Sequence, residues 1–329
     1  MSSRLSSERI KAEAKDLGFF TCGIARADRV DTDTEEELAI WLGNGLHADM
    51  AYMANHMDKR LDPRLLMDGL RSIVCVAMNY APAYRMPEDE LQLAAYALGQ
   101  DYHFIVKEKL RLLAERLGLH SYRVFCDSAP VLERYWAVKA GLGWIGRNHQ
   151  LIIPHAGSMF FLGELFIDRE TEYDSPIKNR CGKCHSCIDA CPTGALSDSI
   201  SDTSMNNDKQ YATAFDSRLC LSYQTIENRM EIPQGIAMKM GNTIYGCDRC
   251  QQACPWNRFS TPSDEPRLRP KDELLNMTRD KWNRLTPEDY KRLFKGSAVK
   301  RVKYEGLMRN IRAVNNNLKE NNKDNGTGE

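Results

Sequence analysis

"CGKCHSCIDACP", residues 181–192, decides how this chain is read. Its spacing is C-x2-C-x2-C-x3-C-P. In that run three close thiolates bind three corners of a [4Fe–4S] cube, and the fourth, turned away by the proline, reaches a second cube. Such a run requires a partner. "CDRCQQACP", residues 247–255, supplies one with its first cysteine missing. By pseudo-symmetry, one cluster takes Cys181, Cys184, Cys187 and Cys254. The other takes Cys191, Cys247, Cys250 and one more. The candidates for that place are Cys220, in "RLCLSYQT", and the three N-terminal cysteines Cys22, Cys75 and Cys126. Cys220 is preferred because it lies between the two motifs, and lengthening a loop adds closure entropy only slowly. The other three sit in or beside apolar runs and read as small buried hydrophobes. Two zinc sites could use the C-x2-C units, but zinc leaves the interlocked order of eight cysteines unexplained.

Outward from the motif, eight of the eleven cysteines fall in residues 181–257. The N-terminal stretch has no apolar core of the kind a secretory leader carries. Apolar runs such as "IVCVAM" (73–78) are too short to cross a bilayer. A cytoplasmic location without membrane attachment is expected, and there cysteines serve metals rather than disulfides. The 329 residues carry no formal net charge, so no global attraction to nucleic acid exists. The charge is uneven, however. Residues 267–312 hold 14 Lys/Arg against 6 Asp/Glu, a local +8.

Residues 1–175 alternate strand-like and helix-like segments. "RSIVCVAMNYA" is apolar throughout, as in a strand covered on both faces. "DYHFIVKEKLRLLAERLG" reads as an amphipathic helix stopped at Gly118, and "VLERYWAVKAG" as a helix ending at Gly141. "SYRVFCD", "QLIIP" and "MFFLGELFI" read as strands. The fold class expected is α/β (α+β): a sheet-and-helix domain over 1–175, then a ferredoxin-like domain with two clusters over 176–262. A basic helical segment follows over 263–312, then a polar, disordered tail over 313–329. "SDSISDTSMNNDKQ" (197–210) reads as a surface loop. A carrier needs no 180-residue domain ahead of its clusters, so the clusters are expected to feed a redox site there.

"YALGQDYH" (96–103), "FCDSAPVLERYWAVKAGLGWIGRNHQLI" (125–152), "GSMFFLGEL" (157–165) and "CDRCQQACPWN" resemble the epoxyqueuosine reductase family, in order and from about residue 10 to residue 310. The resemblance implies a cobalamin-dependent enzyme with two [4Fe–4S] clusters, related in fold to reductive dehalogenases. It implies reduction of the epoxide of epoxyqueuosine at the wobble base of tRNA, the last step of queuosine synthesis. Many members extend into C-terminal helical repeats where this chain stops, so the basic segment is expected to do more of the tRNA binding. The alternative is a dehalogenase-like oxidoreductase acting on a small molecule; its usual export leader is missing here, and it has no use for the basic segment.

Removing an epoxide oxygen needs two electrons and a proton donor. Asp127 falls at the family's proton-donor position in "CDSAPVLER". The competing role for Asp127, or for Ser128, is a helix N-cap. A nearby helix N-terminus would lower the carboxyl pKa, whereas burial beside Phe125, Val131 and a corrin would raise it; the raised value is expected. The resemblance makes Arg60, Asp101, Tyr102, His103, Asp127, Ser158 and Ser222 candidates for corrin contact. No D-x-H-x-x-G pattern is present, so histidine-ligated cobalt is not expected. Asn228 and Arg229, in "YQTIENRMEIPQG", and Lys300, Arg301 and Lys303, in "KRLFKGSAVKRVKYEG", are expected to face tRNA, where charge dominates affinity. The enzyme is expected to be a monomer fed by a flavodoxin- or ferredoxin-type donor. The cluster holding Cys220 is expected to lie nearest the corrin.

Overall fold

Alternating residues of "SIVCVAMN" point to opposite faces of a sheet, and both faces are dry. This is β2 (Ser72–Asn79). It pairs antiparallel with β1 (Thr21–Arg26) on one side and with the strand Phe160–Ile167 on the other. Tyr122–Phe125 is β3, and Phe160–Ile167 is β4. The sheet order is β1-β2-β4-β3, antiparallel throughout. Ile73, Cys75 and Ala77 join one core, with Phe125, Trp136 and Phe166. Val74, Val76 and Met78 join another, with Ile105, Leu110 and Leu165. The run lacks polar alternation because helices cover both faces of the sheet. One face is covered by α1 (Ser7–Asp16) and α2 (Tyr102–Arg116), the other by α3 (Glu133–Lys139). This computed structural model describes residues 5–198 and 213–324; the polar insert expected as a surface loop lies outside them from residue 199 onward.

Two short helices of the cysteine region, Ser186–Asp189 and Arg249–Gln252, pack on one another as the two motifs' pseudo-symmetry requires. Cys220 leads into α4 (Leu221–Ile226). The basic segment is not a separate appendage. Leu274, Trp282, Leu293, Phe294, Val299 and Val302 share a third core with Leu91 and Leu93 from the N-terminal half and Ile244 and Tyr245 from between the motifs. The polar tail departs from expectation: α5 runs Lys303–Asp324. Ile311 and Val314 seat its inner face in the core, and the Asn317 amide donates to the Ala237 carbonyl at 2.5 Å. Leu307, Ile311 and Val314 form one apolar stripe that docks the helix and carries it on into the stretch composition alone would call disordered, whose last residues, 325–329, lie outside the described residues. Among the described residues, no helix is long and apolar enough to cross a membrane.

Candidate functional site: an acid cluster beside two cysteine sets

Cys181, Cys184, Cys187 and Cys254 line one cavity of about 140 Å³. The Trp144 indole N–H reaches the Cys181 sulfur at 3.5 Å. Cys191, Cys220, Cys247 and Cys250 are the residues expected for the second set: burial pushes the Cys250 thiol up, and Cys247, Cys220, Cys187 and Cys191 raise it further, so Cys250 faces members of both expected sets. Backbone N–H groups face these sulfurs. Burial raises the Cys191 thiol, yet N–H groups of Leu196, Thr193 and Ala195, with the Thr193 hydroxyl, bring it below its ordinary value. Similar N–H groups from Tyr223 and Ser222 face Cys220. Sulfurs so surrounded suit thiolate ligands. They are spread around a space rather than drawn to a point: among the described residues, no three His, Cys, Asp or Glu side chains could hold a single metal ion. A zinc ion would need sulfurs within about 3.8 Å of each other, given Zn–S bonds of about 2.3 Å. Cys75 and Cys126 are buried in the sheet domain and Cys22 is partly buried there.

Above the sheet, the N-terminus of α2 presents Asp101, Tyr102 and His103. Asp101 caps the helix, accepting from the His103 N–H at 3.0 Å. Its Oδ1 also lies 2.6 Å from His103 Nδ1, while His103 Nε2 lies 3.2 Å from Asp127 Oδ2. A ring with a carboxylate at each nitrogen is an imidazolium. Burial lowers the His103 pKa, but Asp101 and Asp127 outweigh it and lift the value to about 9. The Tyr102 hydroxyl donates to the same Asp127 oxygen at 2.5 Å. Tyr102 stacks on Phe161 with centroids 4.1 Å apart, and Phe161 packs on Tyr80, whose hydroxyl meets the Gln251 side chain between Cys250 and Cys254.

Asp127 is not a helix cap. α3 starts six residues later, after Leu132. Asp127 instead sits at φ +59° and donates its N–H to Glu133 Oε1. Its side chain is 59% accessible, although Tyr102 and His103 hydrogen-bond one of its oxygens. The raised pKa expected for it is not found. Burial pushes it up, but hydrogen bonds from His103 and Tyr102 and the charges of His103 and Arg134 bring it below the usual carboxylate value. Phe125 and Val131, expected to desolvate it, point into the core instead.

Arg60 is 6% exposed. One guanidinium nitrogen donates to the Tyr52 carbonyl at 2.9 Å, and its buried Nε has no partner. Burial pushes the Tyr52 hydroxyl pKa up, and charges from Glu227, Arg301, Asp127 and Arg60 also act on it. Arg301 forms a two-pronged pair with Glu227 (2.8 and 2.9 Å), and the Arg229 guanidinium donates to the carbonyls of Arg301 and Val302. Lys300, Arg301, Lys303 and Arg229 are exposed together. Asn228 is not with them: it is buried and donates to Gln224. Ser158 is likewise buried, bonded to Asn257 and Gln251. Ser222 is half-buried beside Cys220. Sequence reasoning missed Glu133 and Glu164. A carboxylate in the middle of "FFLGELFI" was the available signal.

Residues 60–128 match the family model "Epoxyqueuosine reductase QueG, DUF1730", and residues 180–257 match the "4Fe-4S double cluster binding domain". The epoxyqueuosine reductase of Cellulophaga algicola is 43% identical over 309 residues, covering 93% of this chain and 96% of that one. The chain belongs to the epoxyqueuosine reductase family. The enzyme of Cyclobacterium marinum is 46% identical over 314 residues, with 93% and 96% covered. A crystal structure of epoxyqueuosine reductase with an epoxyqueuosine-modified tRNA-Tyr stem loop superimposes with a TM-score of 0.82 at 27% identity, covering 95% of this chain and 81% of that one. Residues 180–257 are therefore a double [4Fe–4S] domain, and the family assigns the chain to the oxidoreductases of tRNA modification.

Proposed function

We propose that this protein reduces epoxyqueuosine to queuosine at the wobble position of tRNA, in the cytoplasm and as a monomer. The observation that carries the reading is the meeting of three features at Asp127: an acid set, an exposed basic patch and the cysteine-bearing segment. The reaction takes two electrons and two protons, and the oxygen leaves as water. Cobalamin, when bound, would supply a strongly reducing centre able to provide the two electrons. The buried, unpartnered Arg60 Nε suits an acceptor such as a corrin carboxamide oxygen. Asp101, Tyr102 and His103 would border the same ligand, and Ser222 would do so from the side of the second cluster. Buried Ser158 would act through the packing of Gln251.

At neutral pH Asp127 is ionised and His103 holds the proton. Of the two protons, the first passes from His103 to Asp127, the member of the His103–Asp127–Tyr102 set that meets the departing oxygen, and from Asp127 to that oxygen; the second comes from solvent as the oxygen leaves as water. A hydrogen-bonded pair of this kind supplies a proton without a raised carboxyl pKa. Electrons would enter from a flavodoxin- or ferredoxin-type donor at the Cys181–Cys184–Cys187–Cys254 cluster and pass through the Cys220 cluster, which lies beside Ser222. Arg229, Lys300, Arg301 and Lys303 would grip the tRNA backbone; Asn228 would support that loop from within. Family membership at this coverage favours the tRNA substrate over a small organohalide. Mass analysis of tRNA from a deletion strain tests the reading: epoxyqueuosine should accumulate and the intact gene should clear it. Normal queuosine in that strain would overturn it.

A further inference from the structure

Glu164 is fully buried in the middle of the sheet, between Cys75 on β2 and Phe125 on β3. It projects onto the apolar face covered by α3, where Trp136 and Val138 pack. Neither of its oxygens receives an N–H or hydroxyl from a described residue. Its one polar neighbour is Glu133, at the first turn of α3, within hydrogen-bonding reach. Two ionised carboxylates cannot sit side by side in an apolar layer, because each raises the cost of charging the other. The pair therefore keeps at least one proton between its two carboxyls. The other charged groups acting here are Asp127 and Arg134, and the Cys75 and Cys126 thiols are kept neutral by burial. Burial lifts Glu133 to about 8 and Glu164 well above the usual value, in keeping with a shared proton.

Glu133 has a second contact: its Oε1 accepts the N–H of Asp127. Asp127 is a non-glycine residue at φ +59°, a conformation that needs outside support to persist. We propose that Glu133, braced by Glu164, is a positioning residue that holds Asp127 in the left-handed conformation aiming its carboxylate at Tyr102 and His103. The proton on the pair fixes Glu133 so that one oxygen faces Glu164 and the other faces Asp127. In either protonation state Glu133 still offers that oxygen to the Asp127 N–H. A leucine at 164 would pack better with the sheet, so stability does not explain the acid there.

The inference rests on Asp127 meeting the departing oxygen, so both are tested in one series. The holoenzyme, loaded with both clusters and cobalamin, is assayed with dithionite and an epoxyqueuosine-modified stem loop. Glu133→Leu should lower kcat about 10²-fold, the scale of a misplaced catalytic group, with KM within twofold and iron and corrin content unchanged. Glu133→Gln and Glu164→Gln keep an acceptor and a donor, respectively, and should stay within about threefold of the parent on the same scale. If Glu133→Leu does not fold, hydrogen exchange at Asp127 in the unmodified protein decides: its amide should be protected although its loop is open to solvent. Unprotected exchange, a normal kcat in Glu133→Leu, or a loss in either Gln variant as large as that expected for Glu133→Leu would each overturn the proposal. Normal turnover in Asp127→Asn would overturn the reading of Asp127 and the positioning role with it; a dead Asp127→Asn beside an active Glu133→Leu would sink the positioning role alone.

Discussion

His103 sits between two carboxylates, Asp101 at 2.6 Å and Asp127 at 3.2 Å, and this sets the pH behaviour of the site. Its pKa is raised to about 9, so the proton is present through neutrality and is lost as pH rises through that value. Turnover should therefore be flat near neutral pH and fall on the alkaline side with an apparent pKa near 9. His103→Gln should remove that limb; a limb unchanged in that variant would take the proton away from His103. The same sign holds for stability, because the paired imidazolium's contribution is complete below the ordinary value of about 6.5 and vanishes above about 9. Titration of Glu133 near 8 adds no limb, since Glu133 accepts the Asp127 N–H in either state. Asp127→Asn should lower single-turnover rates by about 10²- to 10⁴-fold, the usual worth of a positioned proton donor, while clusters and corrin stay bound. Near-normal rates in that variant would remove Asp127 from its role.

Which elements carry these side chains depends on close packing. Gly163 on β4 lies under α2: a Cβ there would meet Val106 Cγ1 at 2.5 Å and Leu110 Cδ1 at 3.1 Å. Gly163→Ala should cost about 1–3 kcal/mol by overpacking, seen as a lower urea midpoint. It should also lower kcat, because α2 carries Tyr102 and His103 at its first turn; an unchanged midpoint would show that α2 gives way freely. Cys220→Ala should halve the iron content and abolish turnover while the Cys254-containing cluster persists. Full iron retention would point to another fourth ligand. Much of this was legible in the chain. The two-faced apolar run of β2, the stops at Gly118 and Gly141 and the double-cluster character of the cysteine region follow from local chemistry. Asp127 was visible as a residue, but its environment was not. Phe125 and Val131 are its neighbours in sequence, whereas its neighbours in space, Tyr102 and His103, lie 24–25 residues upstream. The helical stretch through 313–324 was not legible because its docking depends on a core assembled from three distant segments.

At the scale of the molecule, that shared core anchors the basic turn Ala298–Val302 through Val299 and Val302. Arg229 ties the two loops proposed to face tRNA together by donating to the carbonyls of Arg301 and Val302. The patch is thus rigid, and its members should act in different ways. Lys300 and Lys303 are exposed. Each, changed to alanine, should flatten the plot of log affinity for the stem loop against log salt by about 0.7–0.9 for every phosphate left without its cation. Arg301→Ala should weaken binding more at low salt, because it also uncovers the carboxylate of Glu227, its partner at 2.8 Å. Asn228 should behave otherwise. It is 6% exposed, bonds to Gln224 and accepts from the Met230 N–H. Asn228→Ala should leave the salt slope unchanged and destabilise the fold by about 1–3 kcal/mol, the cost of stranding buried polar partners. Titrations of the stem loop at several salt concentrations, with thermal melts of the same proteins, separate the two kinds of residue. A flat salt dependence in the parent protein would refute the basic surface, and a changed slope in Asn228→Ala would place that side chain on the RNA after all.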